Sequence, residues 1–447
     1  MLNFIIGRNN SGKTEKIRAL IAERASENKK CILIVPEQFS FESERSILEK
    51  IGAQKMLNVD ILSFTRLAFV INEQYGKALN KTIDDGTRKV LMSLSLEALS
   101  GKLEYFKRFS SKPALLSNLL TFVTELKQCA VTPDEIAEIS GKTGNKSLGK
   151  KLSELSLIAA SYDALVSRSF FDDENLLTIA ADMISETDFF DGKAVYFDAF
   201  CGFTKQERNC IKSILPKAEN VFISLCTDRD LSREGVSVFE NVNSEFSHLK
   251  ECAAEQNVGV SSPEILNVKE DGRSPELVYL EKYLCGEESE PYKEECDNIV
   301  VCAAGNRADE ADFVACEIKK LLRCNPTLRC RNIAVIERTA GTYDKELSES
   351  FKKYGVPMFE DKRRPIGIQP VMVFVKCLLA LCAEGFSTES FMRLLKTGLT
   401  ALSGDEISEL ENYAFLWNID GSKWRRDFTE NPDGLGFDVT EKSQEKL

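Results

Sequence analysis

Near its amino end the chain reads LNFIIGRNNSGKT, residues 2–14, where a short apolar run leads directly into the pattern G-x-x-x-x-G-K-T. This pattern is typical of a loop that binds a chain of phosphate groups. Gly7 and Gly12 permit backbone angles that a side chain disfavours, so successive backbone N–H groups can surround the anion. Lys13 is placed to reach the outer phosphates, and the Thr14 hydroxyl to bind Mg²⁺. The residues predicted to bind the nucleotide are Gly7, Arg8, Asn9, Asn10, Ser11, Gly12, Lys13 and Thr14.

The residues that follow the loop predict a helix. Between Glu15 and about Ala25, the apolar residues Ile17, Leu20 and Ile21 recur at helical spacing. A helix that begins beside the loop directs the positive end of its dipole at the anion. The alternative is a glycine-rich turn with a surface lysine, but the order of strand, loop and helix favours a phosphate loop.

The composition indicates an ordinary soluble globular protein. The chain has 447 residues, of which 29% are charged and 43% hydrophobic, and this length predicts about two to four domains. No apolar run approaches the length of a membrane span, and no secretory signal is recognisable. We therefore expect a cytoplasmic protein with no membrane partner, whose 14 cysteines stay reduced.

The histidine count, the cysteine spacing and the net charge disfavour further classes of protein. His248 is the single histidine, and the closest cysteine pairs, Cys296/Cys302 and Cys324/Cys330, lack the C-x-x-C spacing of common metal sites. Histidine-dependent catalysis is therefore disfavoured. The net charge of −12 disfavours a protein that coats DNA nonspecifically, although it is compatible with a local basic channel.

Strands and helices alternate at the beginning of the chain, which predicts an α/β fold with a parallel sheet. The apolar runs that predict strands lie at 2–6, 31–36, 59–62, 194–197 and 221–226. Helical periodicity at 38–50 separates two of them, and helical periodicity dominates from 71 to 189. We therefore predict a P-loop NTPase (RecA-like) sheet, built from 1–70 and 190–295 and interrupted by a helical insertion at 71–189.

A second, partial RecA-like lobe is predicted for 296–375. Its signals are apolar runs at 299–303 and 333–336, which predict strands, and helical patterns at 308–322 and 343–354. Helical periodicity returns in the last part of the chain, 376–447, which is predicted to be helical.

Asp198 directly follows the predicted strand at 194–197. A phosphate loop works with an acidic residue at the end of a neighbouring buried strand, where the acid helps to hold Mg²⁺. We therefore predict Lys13 and Asp198 as catalytic residues, and Thr14 and Asp198 as metal ligands. The alternative is that Asp198 only ends a strand or caps the next helix.

Three further segments follow the phosphate loop in order: LIVPEQFSF at 33–41, LSFTRLAF at 62–69 and YFDAFCGFTKQE at 196–207. With them, the sequence resembles AddB, one of the two subunits of the bacterial AddAB helicase–nuclease. Later segments agree, among them IAVIER at 333–338 and LLKTGL at 394–399. The resemblance covers essentially the whole chain. It implies an AddA-type helicase–nuclease subunit as partner, in a complex that resects double-strand DNA breaks for recombinational repair.

The resemblance also implies a helicase-like module that has lost its motor and scans single-stranded DNA for the Chi sequence. The positions that match the scanning surface are Glu37, Gln38, Ser40, Phe64, Arg66 and Phe69. Glutamine and arginine side chains read base edges through paired hydrogen bonds, and phenylalanine rings stack on unpaired bases. For Phe64 and Phe69, the alternative is a place in the core of a strand-to-helix junction.

Other positions bear on hydrolysis. Arg338 matches an arginine that related superfamily 1 helicases place near the terminal phosphate, where it stabilises charge; the alternative is an ordinary surface arginine. Ala199 stands where an active helicase has a glutamate that activates the attacking water, and alanine cannot do this. The segment 221–230 also lacks the expected Gly-Asp…Gln signal. We therefore expect binding of ATP and Mg²⁺ with weak hydrolysis or none.

The chain is less than half the length expected of AddB, so we expect an N-terminal fragment. The family's nuclease domain and its 4Fe–4S cluster are expected only nearer the C-terminus of the full protein. Two alternatives stay open: a stand-alone P-loop ATPase or kinase, and a scaffold with a vestigial nucleotide site. The helical insertion and the second α/β unit favour the AddB-like function over the kinase.

Overall fold

The computed structural model describes residues 1–76, 83–107, 112–169, 173–228, 238–267, 273–283, 290–360, 366–432 and 434. The chain divides into two compact units, residues 1–300 and 301–447.

The first unit contains a six-stranded sheet in which every strand pair is parallel. Its strands are β1 (Leu2–Gly7), β2 (Cys31–Ile34), β3 (Val59–Leu62), β4 (Ala194–Phe197), β5 (Asn220–Cys226) and β6 (Glu264–Ile265). Their order across the sheet is β3-β2-β4-β5-β1-β6. Five of the strands coincide closely with the five predicted apolar runs, and the predicted α/β parallel-sheet fold is confirmed.

Twelve helices of the first unit lie within the described residues. They are α1 (Lys13–Ser26), α2 (Ser40–Ile51), α3 (Ala53–Met56), α4 (Phe64–Tyr75), α5 (Asp85–Ala98), α6 (Pro113–Gln128), α7 (Pro133–Lys142), α8 (Lys146–Ser169), α9 (Asp173–Glu186), α10 (Lys205–Ile214), α11 (Glu240–Glu255) and α12 (Pro275–Tyr283). A short 3-10 turn, Glu37–Phe39, precedes α2.

Alternating side chains of the strands form a core on each face of the sheet. On one face, Phe4 and Ile6 belong to the buried cluster that includes residues of α4, α9, α10 and α11. On the other face, Ile5 belongs to a cluster with Ile17 and Ile21 of α1. Because both faces are covered, the strands are nearly continuous apolar runs, as expected of a buried parallel sheet.

Helices α5, α6 and α8 contribute to a separate core around the fully buried Tyr162 and Met92. In contrast, α9 packs on the sheet, where Ala180 and Ile184 are completely buried. The last helix of the predicted insertion therefore shares the main core. The domain boundaries drawn from the sequence stay a prediction.

The second unit is helical in its described residues. Its helices are α13 (Arg307–Cys324), α14 (Asp344–Tyr354), α15 (Pro370–Glu384), α16 (Thr388–Leu395) and α17 (Gly404–Leu416). Helices α13 and α14 bury Ala315, Ile318 and Phe351 between them. Helices α15 to α17 contribute to another cluster around Leu381 and Met392.

The strands predicted at 299–303 and 333–336 are wrong for the described residues, since neither segment joins a β-ladder. Val301 is 93% exposed and Ile336 is 91% exposed. An apolar pattern indicates only that the composition of a segment is compatible with a strand. A strand forms when its backbone groups make hydrogen bonds to an adjacent strand. The helices predicted around these segments do form, as α13 and α14.

A buried carboxylate fixes one turn of the helical insertion. Glu154 of α8 accepts backbone N–H groups from Glu104 at 2.8 Å, Tyr105 at 2.7 Å and Phe106 at 3.1 Å. The Glu154→Ala substitution leaves these donors without their acceptor, so we expect a loss of about 1–3 kcal/mol in unfolding free energy. Urea unfolding followed by circular dichroism measures it.

Glu138→Ala is the matched control, because Glu138 forms only an exposed ion pair with Lys142 on α7, which is worth less than about 1 kcal/mol. Equal urea midpoints for the Glu154 variant and the unsubstituted chain would contradict the role assigned to this carboxylate.

Candidate nucleotide site and nucleic-acid interface

The parallel sheet brings the predicted functional segments to one edge. In a parallel sheet all carboxyl ends lie on the same side, and ligands usually bind there. The segments after β3, β2 and β4 are neighbours at this edge, and those after β5 and β1 follow them. Arg66, Gln38, Asp198 and the phosphate loop therefore share the carboxyl edge of one sheet.

The phosphate loop joins β1 to α1 and depends on two glycines. A Cβ on Gly7 would collide with the Ser11 hydroxyl and lie 2.8 Å from the carbonyl oxygen of Leu266. Gly12 has a φ of 87° and Asn10 a φ of 59°. Such left-handed residues turn successive N–H groups toward one point, the geometry that suits a phosphate. The loop and the amino end of α1 thus fit an oligophosphate.

Lys13 contacts the loop itself. Its ammonium group donates to the carbonyl oxygens of Gly7 and Arg8, both at 2.8 Å, and lies 3.4 Å from the Ser11 hydroxyl. These are neutral acceptors inside the loop. A phosphate oxygen is a stronger acceptor for an ammonium group because the hydrogen bond is then charged on both sides. Lys13 is therefore placed to exchange the carbonyl contacts for phosphate contacts.

Arg8 is held by acidic residues from two other segments. Its guanidinium donates to Asp228, just after β5, at 3.0 Å, and lies 3.7 Å from the Glu281 carboxylate of α12. The guanidinium also lies 5.5 Å from the centre of the Phe239 ring. Sequence reasoning missed Asp228 and Glu281, because no motif marks them and the fold alone brings them to the loop.

Asp198 is buried at the end of β4, with 5% of its surface exposed. Its carboxylate accepts the Ser224 hydroxyl at 2.5 Å, and its backbone N–H donates to Ile34 at 3.1 Å. Strand β5 separates β4 from β1, and through Ser224 the Asp198 carboxylate contacts β5, the direct neighbour of the strand that carries the phosphate loop.

Ala199 adopts a left-handed conformation with a φ of 64°. This conformation costs an alanine about 1–2 kcal/mol, because its Cβ approaches the carbonyl oxygen. Its side chain carries no group that could orient a water molecule. The strained turn directs Phe200 and Phe203 into the core, and it does not supply the missing carboxylate.

The nucleic-acid candidates fall into an exposed group and a buried residue. Glu37 and Gln38 are exposed in the 3-10 turn after β2, and Ser40 is half-buried at the beginning of α2. Arg66 is exposed on α4, and Phe69, one turn later, is 44% exposed. Because β2 and β3 are neighbours, these five residues lie along adjacent strand ends.

The structure argues against the base-stacking role of Phe64. Only 6% of Phe64 is exposed, and its ring contacts Phe197, Phe200 and Phe203 at centroid distances of 5.9, 5.5 and 6.1 Å. An unpaired base has no free ring face to stack on. Phe64 therefore packs the segments after β3 and β4 together, which is the core alternative considered above.

Arg338 belongs to the second unit, where it is exposed and follows the segment 333–336. Its predicted contact with the terminal phosphate stays a prediction.

Within the described residues, no group of three or more histidine, cysteine, aspartate or glutamate side chains is arranged to hold a metal ion. Of the helices in the described ranges, none is both long and apolar enough to cross a bilayer.

Burial raises the pKa of one acid close to this edge. Glu207 closes the first turn of α10 by accepting the Thr204 backbone N–H at 2.7 Å. Desolvation raises the pKa of its carboxyl group above the usual value, and the neighbouring Glu245 adds to the effect. This capping box fixes where α10 begins, and with it the end of the segment that carries Asp198.

Comparisons with known proteins agree with the resemblance seen in the sequence. Residues 4–281 match the family described as ADDB, N-terminal. A protein of Clostridium novyi (strain NT), named as the B subunit of an ATP-dependent helicase/deoxyribonuclease, is 32% identical over 425 residues, covering 94% of this chain and 37% of the relative. The identically named protein of Clostridium tetani (strain Massachusetts / E88) is 31% identical, with 99% and 40% covered. The chain thus spans about two fifths of the length of these curated relatives.

The strain at Ala199 can be tested directly. Ala199→Gly removes the Cβ that opposes the left-handed conformation, so we expect a gain of up to about 1 kcal/mol in unfolding free energy. Thermal unfolding of both proteins measures the change. A clear loss of stability in the glycine variant would contradict the strain argument.

Phe64 and Phe69 offer a matched pair of substitutions. Phe64→Ala opens a cavity in the aromatic cluster and is expected to cost about 3–5 kcal/mol in unfolding free energy. Phe69→Ala changes an exposed ring and is expected to cost less than about 1 kcal/mol. Urea unfolding distinguishes them, and similar losses for both would contradict the assignment of Phe64 to the core.

Proposed function

The chain belongs to the ADDB N-terminal family, and on this premise we propose that it binds ATP with Mg²⁺ at the phosphate loop and single-stranded DNA at the neighbouring strand ends. We propose that it works within an ATP-dependent helicase/deoxyribonuclease, together with an AddA-type subunit, which resects double-strand DNA breaks for recombinational repair. Its own part is that of an inactivated helicase module that scans single-stranded DNA for the Chi sequence.

One observation carries this proposal: the same edge of one parallel sheet holds the phosphate loop and the exposed Gln38, Arg66 and Phe69. A phosphate loop alone supports any nucleotide-binding function. The exposed glutamine, arginine and phenylalanine, which follow β2 and β3 farther along the sheet, offer groups suited to unpaired bases. A kinase for a small molecule has no need of such a surface.

At the nucleotide site, the loop N–H groups hold the phosphates and Lys13 neutralises their outer charge. Thr14 and Asp198 are the proposed ligands of Mg²⁺, which supplies charge neutralisation between the outer phosphates. Ser224 holds the Asp198 carboxylate in place. Since Ala199 has no carboxylate to activate water, the proposal includes weak hydrolysis or none.

At the DNA surface, the exposed residues have different roles. Gln38 and Arg66 present hydrogen-bonding groups that match base edges. Phe69 offers a partly exposed ring on which a base can stack. Glu37 accepts from an amino group of a base, and Ser40 lies beside it. Phe64 supports this surface from the core.

A second candidate function, an assembly scaffold with a vestigial nucleotide site, has two observations in its favour. Lys13 is engaged by the loop's own carbonyl oxygens, and alanine follows Asp198. Binding of Mg²⁺ and ATP distinguishes the two functions, because a scaffold of this kind requires no nucleotide.

The nucleotide claim is tested with Lys13→Ala. Loss of a charged hydrogen bond to phosphate is expected to weaken ATP binding about tenfold or more. Equilibrium titration with a fluorescent ATP analogue measures the affinity, and circular dichroism verifies that the variant is folded. Unchanged affinity would contradict ATP binding at the phosphate loop, and no detectable ATP binding by the unsubstituted chain would favour the scaffold.

The DNA claim is tested with Arg66→Ala and Phe69→Ala in the 447-residue chain. Fluorescence anisotropy with labelled single-stranded DNA is measured across salt concentrations. We expect Arg66→Ala to reduce affinity and Phe69→Ala to reduce it by about fivefold or more, since stacking on one base contributes about 1–3 kcal/mol.

Lys29→Ala is the control for these variants, because it removes a positive charge at an exposed position just before β2, at the amino edge of the sheet. An equal loss of DNA affinity in the control and in Arg66→Ala would contradict a specific interface.

A further inference from the structure

We infer that Glu281 and Asp228 are positioning residues that lower the nucleotide affinity of the phosphate loop by holding Arg8. This inference rests on the proposed function, because it concerns how the same site is regulated. It adds a helix, α12, to the elements that respond to the nucleotide.

The contacts come from three separate parts of the chain. Arg8 lies in the phosphate loop, Asp228 just after β5, and Glu281 on α12. The Arg8 guanidinium donates to the Asp228 carboxylate at 3.0 Å and to the Glu281 backbone carbonyl at 3.4 Å. The Glu281 carboxylate adds an ion pair at 3.7 Å. Arg8 thus links α12 to the loop.

These contacts are partly buried. The side chains of Arg8 and Glu281 are 22% and 23% exposed, and that of Asp228 is 40% exposed. Arg8 Nε is buried, and among the described residues it has no hydrogen-bond partner. The guanidinium therefore still carries an unused donor, even while its other nitrogens contact the carboxylates.

The charges around the loop oppose an incoming polyanion. The Asp228 and Glu281 carboxylates neutralise Arg8, and at intermediate burial a carboxylate repels a phosphate several ångströms away. A bound ATP competes with both carboxylates for Arg8, because phosphate is a strong bidentate acceptor for guanidinium. Binding therefore draws Arg8 from Glu281 and removes one of the contacts that hold α12.

Because this coupling is thermodynamic, it acts in both directions. ATP weakens the hold on α12, and anything that stabilises α12 against the loop weakens ATP binding. The pair of carboxylates thus keeps the loop in a low-affinity state, which suits a protein that binds nucleotide without driving a motor.

The test uses Glu281→Gln and Asp228→Asn in the 447-residue chain, titrated with the fluorescent analogue mant-ATP in Mg²⁺. Each variant is expected to bind about three- to tenfold more tightly than the unsubstituted chain, because it removes one repelling charge and one of the two ionic contacts that hold Arg8. The gain is expected to shrink as salt is raised.

Glu255→Gln is the matched control, since it removes an equal charge from an ion pair with Lys212 between α10 and α11. Its affinity is expected to stay within about twofold of the unsubstituted chain. The double variant Arg8→Gln/Glu281→Gln is expected to show a non-additive effect, because the carboxylate acts through Arg8.

Hydrogen exchange of the α12 amides gives an independent readout. In the unsubstituted chain, Mg²⁺ and mant-ATP are expected to increase exchange at 275–283, and in Glu281→Gln exchange is expected to be high already without nucleotide. Two results would overturn the inference while leaving nucleotide binding intact. One is an unchanged mant-ATP affinity in both carboxylate variants, and the other is hydrogen exchange of the α12 amides that does not change when nucleotide binds. A chain that binds no mant-ATP at all would overturn the proposed function, and this inference with it.

Discussion

The parallel hydrogen-bonded ladder between β4, β5 and β1 is the constraint on which the site depends. Phe197 pairs with Ile223, which places Asp198 opposite Ser224 along the strands. Gly7 pairs with Cys226, which fixes the position of the phosphate loop along β5. A shift by one residue would turn every buried side chain of a strand to the opposite face. The apolar cores on both faces therefore fix the register, and the register fixes the positions of the phosphate loop and the acidic residue.

The order of strands separates the proposed nucleotide site from the proposed DNA surface along the carboxyl edge. The strands β1 and β5 carry the phosphate loop and the segment with Asp228, whereas β3 and β2 carry the exposed Arg66, Phe69 and Gln38. Strand β4 lies between these pairs, and its Asp198 faces the nucleotide side through Ser224. The phenylalanine cluster around Phe64 packs the segments after β3 and β4 together. One packed edge thus supports both proposed binding surfaces.

Much of the fold could be predicted because its signals are local. The strands of the first unit are uninterrupted apolar runs, and the loop pattern G-x-x-x-x-G-K-T identifies β1 and α1 together. What failed depended on neighbours that a single sequence does not show: the segments 299–303 and 333–336 have strand composition but no ladder partner among the described residues. For Phe64 the sequence leaves base stacking and core packing both open, because an aromatic residue at a strand end suits both a core and a surface. The contacts of Asp228 and Glu281 with Arg8 could not be predicted, because more than two hundred residues separate each of them from Arg8 in the sequence.

We propose that one carboxyl edge of this sheet accepts nucleotide after β1 and single-stranded DNA after β2 and β3. A crystal structure of the chain with Mg²⁺, a non-hydrolysable ATP analogue and a short single-stranded oligonucleotide tests this arrangement. We expect phosphates inside the loop, with Lys13 moved from the carbonyl oxygens of Gly7 and Arg8 to the outer phosphates, and bases against Gln38, Arg66 and Phe69. A structure in which Lys13 still contacts those carbonyl oxygens at saturating nucleotide, and the DNA lies elsewhere, would contradict it.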